Sequence, residues 1–187
     1  MTKVALPGRP LGPFPTVLVG AMVDGKPNYA TVGACSIVGL EPVLSVSLKA
    51  THHTTKGIVA GGHFSVNIPS AAMVDKVDFC GIHSGAKVDK TALFTTFQDE
   101  AALAPMIREC PVNYVCRVVR TIEVTGFKLF FGEIVSMQVD AACLTDGQID
   151  PAKVQPMVMF GLSYLALGAN VGTAFRSGRA LPAQPVA

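Results

Sequence analysis

Apolar and polar residues alternate along two long segments in the second half of the chain. The even-numbered positions of Val112–Val124 and the odd-numbered positions of Phe127–Val139 are mainly apolar, and several of the positions between them are polar. Successive side chains of a strand point to opposite faces, so this alternation predicts two half-buried antiparallel strands. Thr125 and Gly126 predict the turn that joins them.

Shorter segments rich in apolar and β-branched residues predict further strands in the first half of the chain. A proline-rich lead-in precedes the first of them, and Asp24-Gly25-Lys26-Pro27 follows it. Asp-Gly is a strong hairpin signal because both residues tolerate the backbone angles of a tight turn. These strands are predicted at residues 16–23, 29–38, 43–48 and 64–68.

Signals for helices are fewer. Residues 54–61 predict a short helix that a threonine caps at its start and that Gly61-Gly62 ends. Residues 71–79 predict a second helix with an apolar side. Residues 81–96 have no clean period and predict an ordered loop with short helical turns, and residues 156–172 form an apolar, glycine-rich tail.

Six or seven strands with few helices predict a mainly β fold. Closing a sheet removes its exposed edges, which favours a closed or nearly closed β-barrel with short helices. A sandwich of two sheets fits the same pattern of strands. The length of 187 residues suits a single domain.

The composition is apolar and poor in charge. Hydrophobic residues make up 50% of the chain and charged residues 15%, so we expect part of the apolar surface to be buried against another subunit or a flat ligand. The net charge of +2 comes without a cluster of lysines and arginines, which argues against nucleic-acid binding. No apolar run reaches the ~20 residues of a spanning helix, and the N-terminal residues lack the apolar segment of a secretion signal.

The cysteines indicate the cellular compartment. Their number is odd and no CxxC pair occurs, whereas zinc sites and disulfide frameworks favour paired spacings. We therefore expect reduced thiols in a cytoplasmic protein, most of them small buried apolar groups, and no metal site. The cysteines are Cys35, Cys80, Cys110, Cys116 and Cys143.

A polar segment at residues 47–58 is the first candidate for a binding site. A strand ends and a helix begins there, and the segment holds three threonines, two histidines and two lysines. Hydroxyls, cations and free N–H groups at a helix N-terminus suit an anion, above all a phosphate. A polar loop with a threonine cap is the alternative interpretation.

Two further segments are rich in small residues that would let a ligand bind against the backbone. In residues 79–90, small residues such as Ser84 and Gly85 let a ligand approach closely, and Lys90 adds positive charge. In residues 28–36, short side chains and exposed amides suit a planar ring with hydrogen bonds along its edge. The alternative interpretation of residues 79–90 is a surface loop with solvated lysines. The alternative for residues 28–36 is an ordinary barrel strand.

Several groups of residues, taken in order along the chain, resemble a known family. They are Pro15-Thr-Val-Leu-Val-Gly, Gly25-Lys-Pro-Asn-Tyr-Ala-Thr-Val, Thr54-Thr-Lys-Gly-Ile, Phe64-Ser-Val-Asn-Ile-Pro, Cys80-Gly-Ile-His-Ser-Gly, Asp89-Lys90, Glu109-Cys-Pro-Val and Leu129-Phe-Phe-Gly-Glu-Ile. Their order and spacing resemble the flavin reductase-like FMN-binding family, and most of all its flavoredoxin branch. The resemblance covers about residues 13–172, which makes residues 1–187 one domain with short tails.

The resemblance implies an FMN-binding split barrel of Greek-key-like topology that forms a homodimer, with FMN near the dimer interface. It places Thr54 near the phosphate and Asn28, Thr31 and Cys35 along the isoalloxazine ring. Lys90 is the candidate catalytic residue, because a lysine beside the ring favours the reduced flavin. The cofactor-binding residues expected from the segments and the resemblance are Asn28, Thr31, Ala34, Cys35, Ser47, Lys49, Thr54, Thr55, Cys80, Ser84, Gly85 and Lys90.

The family suggests an FMN-dependent oxidoreductase that works in electron transfer, with NAD(P)H or a redox partner protein as electron donor. Many flavin reductases of the family have Gly-Asp-His where this chain has Gly126-Phe127-Lys128, and that histidine is associated with nicotinamide binding. The departure favours a non-enzymatic carrier with bound FMN. A split-barrel protein for another ligand such as haem is a further alternative, since the chain has four histidines.

Overall fold

The computed structural model describes residues 1–6, 8, 11–39, 41–101, 103–179 and 181, so the end of the expected domain, at residues 182–187, lies outside the described residues. The strands are β1 Phe14–Pro15, β2 Val17–Val23, β3 Lys26–Val32, β4 Cys35–Ile37, β5 Val43–Lys49, β6 His63–Ile68, β7 Thr96–Phe97, β8 Met106–Ile107, β9 Val112–Val124, β10 Phe127–Val139, β11 Leu144–Thr145, β12 Gln148–Ile149, β13 Met157–Phe160 and β14 Ser163–Ala166. The helices are α1 His53–Gly61, α2 Val74–Ile82 and α3 Pro151–Val154, and single 3₁₀ turns lie at Ala71–Met73, Thr91–Leu93 and Ala141–Cys143.

Seven strands form one antiparallel sheet in the order β3-β2-β6-β9-β10-β5-β4. Strands β3 and β4 are the two ends of this order, yet only Gly33 and Ala34 separate them in the chain. The sheet therefore curls until its edges approach each other, which gives a split barrel. The predicted mainly β fold with a Greek-key-like strand order is confirmed, and the alternative of a sandwich is wrong.

Alternating side chains fill the interior of this barrel. Val17, Val19 and Ala21 of β2 point inward and pack with Phe64 of β6 and Phe130 of β10. Each buried valine or phenylalanine side chain stabilises the fold by roughly 1.5–3 kcal/mol relative to its exposure to water. This core fixes β2 and the strands beside it, on which the site described below is built.

A second apolar cluster lies on the outer side of β2 and β3. Leu18 and Tyr29 pack there against Val77 and Cys80 of α2. The Tyr29 hydroxyl donates to the carbonyl oxygen of Met106 at 3.2 Å, and burial raises the pKa of Tyr29 to about 12. This packing holds the end of α2, and the loop that follows it, beside β3.

The long hairpin has the predicted bounds at both strands. Its turn residues, Thr125 and Gly126, have φ angles of +48° and +78°, and the Asp24-Gly25 turn has angles of +49° and +76°. Both turns thus use the left-handed conformations that two-residue hairpins require. The half of β9 next to the turn, residues 119–124, is exposed, whereas the adjoining half of β10 is covered on one face, where Phe130 is buried in the barrel core.

Shorter elements differ from their predicted bounds. The single strand predicted at residues 29–38 is wrong, because β3 begins at Lys26 and the chain leaves the sheet at Gly33 before β4. The helix predicted at residues 71–79 is a 3₁₀ turn followed by α2, which continues to Ile82. Local propensity does not predict the ends of β3, β4 and α2, because tertiary packing decides where a strand bends or a helix stops.

The apolar tail forms a small sheet of its own, in which β13 pairs with β14 and with β1. The Tyr164 hydroxyl of β14 donates to Asp78 Oδ1 of α2 at 3.0 Å, which fastens this sheet to the barrel. Among the described residues, no helix combines the length and the apolar character that crossing a membrane requires.

All five cysteines are free thiols, and four of them are buried. Burial raises the pKa of Cys35 and of Cys80 to about 11, and that of Cys116 to about 12. Because the thiolate is the reactive form, we expect slow modification of the native protein by a thiol reagent at pH 7. Titration of the denatured, anaerobically kept protein should yield five thiols per chain, and a lower count would refute the prediction that no structural disulfide forms.

Candidate functional site

A cavity of about 170 Å³ lies where β3, the start of α1 and the loop after α2 meet. It brings together seven of the residues expected to bind a cofactor, from three segments that are far apart in sequence. None of the residues that line it carries a carboxylate. The lining residues are Asn28, Ala30, Thr31, His52, His53, Thr54, Cys80, Gly81, Ile82, His83, Ser84, Gly85 and Lys90.

The start of α1 forms one wall of this cavity. Thr54 is buried, and its Oγ1 accepts a hydrogen bond of 2.7 Å from Asn28 Nδ2 of β3. The predicted threonine cap is wrong, because His52 occupies the N-cap position without a capping side-chain bond. The first turn has no acidic residue, so the positive end of the helix is not neutralised locally.

Lys90 forms the inner wall and is only 3% exposed. Its ammonium donates to the carbonyl oxygens of Tyr29 at 2.9 Å and Cys80 at 2.8 Å, so it ties β3 to the end of α2. Burial lowers the pKa of the Lys90 ammonium from its usual 10.5. No salt bridge to Lys90 occurs among the described residues, so its charge is held by carbonyl dipoles.

The loop after α2 closes the cavity through a contact that needs glycine. A Cβ built on Gly85 would lie 2.7 Å from Asn28 Cγ and closer still to Asn28 Oδ1. The backbone of Gly85 therefore rests directly on the Asn28 carboxamide. The preceding Ser84 is exposed and starts a turn in which its carbonyl oxygen accepts from the backbone N–H of Lys87 at 2.9 Å.

Two histidines add basic groups to the same wall. His53 Nδ1 is buried without a hydrogen-bond partner among the described residues. An unsatisfied buried nitrogen beside a cavity is costly, and a ligand group offers it a partner. Burial and the nearby charges of Lys49 and Lys90 lower the pKa of His52 from its usual 6.5.

A second cavity of about 420 Å³ adjoins the first and shares Asn28, His53, Gly85 and Lys90 with it. Four of its other residues lie in the segment 79–90 that the sequence predicts to bind a ligand, and the rest lie at the β2–β3 turn, for which no binding role is predicted. The packing of that turn beside residues 85–90 brings the two groups together. They are Val23, Asp24, Lys26, Pro27, Ala86, Lys87, Val88 and Asp89.

Five of the residues expected to bind a cofactor do not line either cavity. The backbone N–H of Ser47 donates to the carbonyl oxygen of Ala34 at 3.0 Å, and Cys35 pairs with Val46 and packs against the barrel core. Lys49 is exposed at the end of β5, and Thr55 Oγ1 donates to its carbonyl oxygen at 2.8 Å. Ala34 and Ser47 thus form a strip next to the cavity strand.

The arrangement suits a ligand with an anionic end. It offers a helix N-terminus, a buried ammonium and imidazoles, and the described residues that line the first cavity include no carboxylate to act as a general acid or base. His83, Ile82 and Ala30 are absent from the expected cofactor-binding residues, although all three lie in segments predicted to bind a ligand. Only the fold decides which side chains of such a segment face the cavity.

Comparison with known proteins identifies relatives over nearly the whole chain. A flavoredoxin from Methanosarcina acetivorans is 38% identical, with 96% of this chain and 98% of that chain covered and a TM-score of 0.90. A flavoredoxin of Desulfovibrio vulgaris (Miyazaki F) is 33% identical, with 95% and 100% covered and a TM-score of 0.89.

An uncharacterized protein from Archaeoglobus fulgidus is 32% identical over 128 residues, which are 67% of this chain and 72% of that protein. The flavin reductase like domain matches residues 11–165, a span that contains every residue lining the two cavities. By this match and by its fold, the chain belongs to the flavin reductase like domain family.

Proposed function

We propose that the protein binds FMN, with the phosphate in the first cavity, and acts as an electron-transfer flavoprotein. The observation that carries this proposal is the union of a helix N-terminus, Thr54 and the buried Lys90 ammonium around a cavity free of carboxylates. Membership of the flavin reductase like domain family favours a flavin over haem.

The residues present fit such a ligand. The unpartnered His53 Nδ1 can bind a phosphate or a ribityl hydroxyl. The exposed Ser84 hydroxyl accepts from the backbone N–H of Ala86 at 3.3 Å and can still donate its own proton to such a group. The strip at Ala34 and Ser47, which lies outside the cavity, offers small side chains on which a flat ring can rest. Bound flavin would supply the redox chemistry, while the protein binds it, orients it and places positive charge beside it.

A carrier role is the second candidate, and the hairpin turn supports it. Lys128 stands where many flavin reductases have the histidine associated with nicotinamide binding, and its Nζ donates to Glu123 Oε2 at 3.0 Å. A redox partner protein is then the electron donor instead of NAD(P)H. The two roles differ in turnover, since a reductase oxidises NADH or NADPH steadily and a carrier does not.

We expect FMN to copurify with the protein at close to one per chain. The test is to denature the pure protein, separate the released chromophore and identify it as FMN or FAD by chromatography and mass. A colourless protein that also fails to bind added FMN would contradict the proposal. The same purified sample, mixed with NADH or NADPH, distinguishes the reductase from the carrier.

We also propose a homodimer whose interface includes the exposed residues 119–127 at the turn end of the β9–β10 hairpin. Val119, Val124 and Phe127 are 55%, 54% and 40% exposed on this hairpin. Exposed apolar side chains grouped on one hairpin are typical of a subunit interface.

Val119→Asp should convert the dimer to a monomer, because a carboxylate in an apolar interface loses its hydration without gaining a partner. Ile149→Asp is the matched control, since Ile149 is 38% exposed on the separate β11–β12 hairpin. Mass by light scattering, with and without FMN, is the measurement. A stable FMN-loaded monomer of the wild-type chain would contradict the proposed interface.

We further propose a cytoplasmic location, because an odd number of cysteines without a CxxC pair suits reduced thiols.

A further inference from the structure

The two adjoining cavities differ in the charges that line them. The first has Lys90 and histidines without a carboxylate, and the second adds Lys26 and Lys87 together with Asp24 and Asp89. The Asp89 carboxylate accepts from the backbone N–H and the hydroxyl of Thr91, which lower its pKa. Lys26 and Lys87 are the groups of the second cavity that can bind an anion, with the carboxylates of Asp24 and Asp89 beside them.

Four residues line both cavities and so stand between them: Asn28, Gly85, His53 and Lys90. The Asn28 carboxamide is 5% exposed and is fixed from two sides. Its nitrogen donates to Thr54 Oγ1 at 2.7 Å, and its other face rests on the backbone of Gly85. Lys90 holds the carbonyl oxygen of the next residue, Tyr29, which keeps this part of β3 in place.

We propose that Asn28 determines flavin specificity: its carboxamide, packed on Gly85, separates the phosphate cavity from the second cavity and thereby selects FMN over FAD. The inference rests on the proposed binding of FMN. FMN ends at its single phosphate, so a closed wall behind that phosphate does not weaken FMN binding. FAD continues from the same phosphate to a second phosphate and an adenosine, which must pass through the wall.

Once the wall is opened, the second cavity is large enough for the second phosphate and the adenosine of FAD, and it offers the cationic groups of Lys26 and Lys87. Its volume of about 420 Å³ lies within the range of roughly 300–1000 Å³ for small-molecule sites. Lys26 and Lys87 would face the second phosphate of the dinucleotide. Removal of the Asn28 carboxamide should open a passage beside His53 and Lys90, because the glycine opposite contributes no side chain to the wall.

The test measures dissociation constants for FMN and for FAD by flavin fluorescence in four proteins. They are the wild type, Asn28→Ala, Lys87→Glu and the double variant. We expect the wild type to prefer FMN at least tenfold, and Asn28→Ala to reduce that preference at least tenfold through tighter FAD binding. Lys87→Glu alone should leave FMN affinity within twofold, because that lysine lies behind the wall.

The double variant shows where any gained FAD affinity arises. Lys87→Glu should abolish the gain in the Asn28→Ala protein, whereas it should have little effect on FAD in the wild type. Equal weakening of FMN and FAD by Asn28→Ala, or equal affinity of the wild type for both flavins, would overturn the inference while leaving flavin binding intact. Failure of the wild type to bind either flavin would instead sink the proposed function.

Asn28→Ser provides a second route if the alanine variant does not fold, as judged by circular dichroism. Serine keeps a hydroxyl near Thr54 but is too short to rest on Gly85, so it should also narrow the preference for FMN. An unchanged preference in a folded Asn28→Ser protein would likewise overturn the inference.

Discussion

Gly85→Ala is expected to weaken FMN binding by about a hundredfold, which corresponds to ~2.7 kcal/mol. The new Cβ would lie 2.7 Å from Asn28 Cγ, a separation that non-bonded carbon atoms do not tolerate. Either the loop or the carboxamide must move, and forcing extra atoms into a packed site costs about 1–3 kcal/mol. Movement of Asn28 also breaks its bond to Thr54 and narrows the first cavity.

Gly61→Ala is the matched control for this variant. Gly61 is the last residue of α1, and a Cβ built there meets no atom within 4 Å. Alanine at that position should leave FMN binding unchanged and raise helix stability slightly. Fluorescence titration with FMN measures both variants, and an unaffected affinity in Gly85→Ala would place the phosphate away from this loop.

Lys90→Met is expected to lower the midpoint potential of bound FMN by tens of millivolts. Lys90 lines the proposed phosphate cavity, and from there its positive charge still stabilises the reduced flavin, which is the more negative form. For a two-electron couple, 30 mV corresponds to about 1.4 kcal/mol. The variant also leaves the carbonyl oxygens of Tyr29 and Cys80 without their donor. Unpaired buried carbonyls cost about 1–3 kcal/mol each, so the variant should also be less stable.

The pH dependence separates the charge of Lys90 from its packing. Its folded-state pKa is lower than 10.5, the value expected for the unfolded chain, so the unfolded state binds more protons between those two values. The free energy of unfolding of the wild type therefore rises with pH across that window, as the cost of burying the charge disappears. Lys90→Met lacks this rise, and the difference in midpoint potential should shrink over the same window.

Spectroelectrochemistry and urea unfolding between pH 7 and 10 provide the measurements. Lys153→Met is the control, because Lys153 Nζ also donates to a carbonyl oxygen, that of Leu144, but lies exposed outside both cavities. The control should leave the midpoint potential unchanged. If Lys90→Met keeps the wild-type potential as well, Lys90 is a structural residue and has no place in the redox chemistry.

The site is built from three separate segments of the chain. Strand β3 contributes Asn28 and Thr31, the start of α1 contributes Thr54, and the loop after α2 contributes Lys90. Each segment is held by a different part of the fold, either the barrel interior or the outer cluster under α2. Destabilising either cluster should therefore weaken binding without any change in a lining residue.

The sequence by itself determined the elements that depend on local pattern. Alternation over thirteen residues in each strand of the β9–β10 hairpin fixes both bounds, because a period of two suits only a strand. Asp24-Gly25 fixes its turn, since few other pairs adopt the required positive φ angles. The segments containing Thr54 and Lys90 were identified as binding segments because their chemistry is visible residue by residue.

Only the tertiary structure decided how these segments meet. Lys90 is buried against the carbonyl oxygen of Tyr29, 61 positions away in the chain, and Gly85 rests on Asn28. No local sequence pattern predicts contacts between residues so far apart. The same holds for the second cavity, where turn residues face a distant loop, and for Cys35, whose neighbours turn it toward the barrel interior. Local propensity selects strands and turns, whereas closure of the barrel, a property of the whole chain, selects the partners of each side chain.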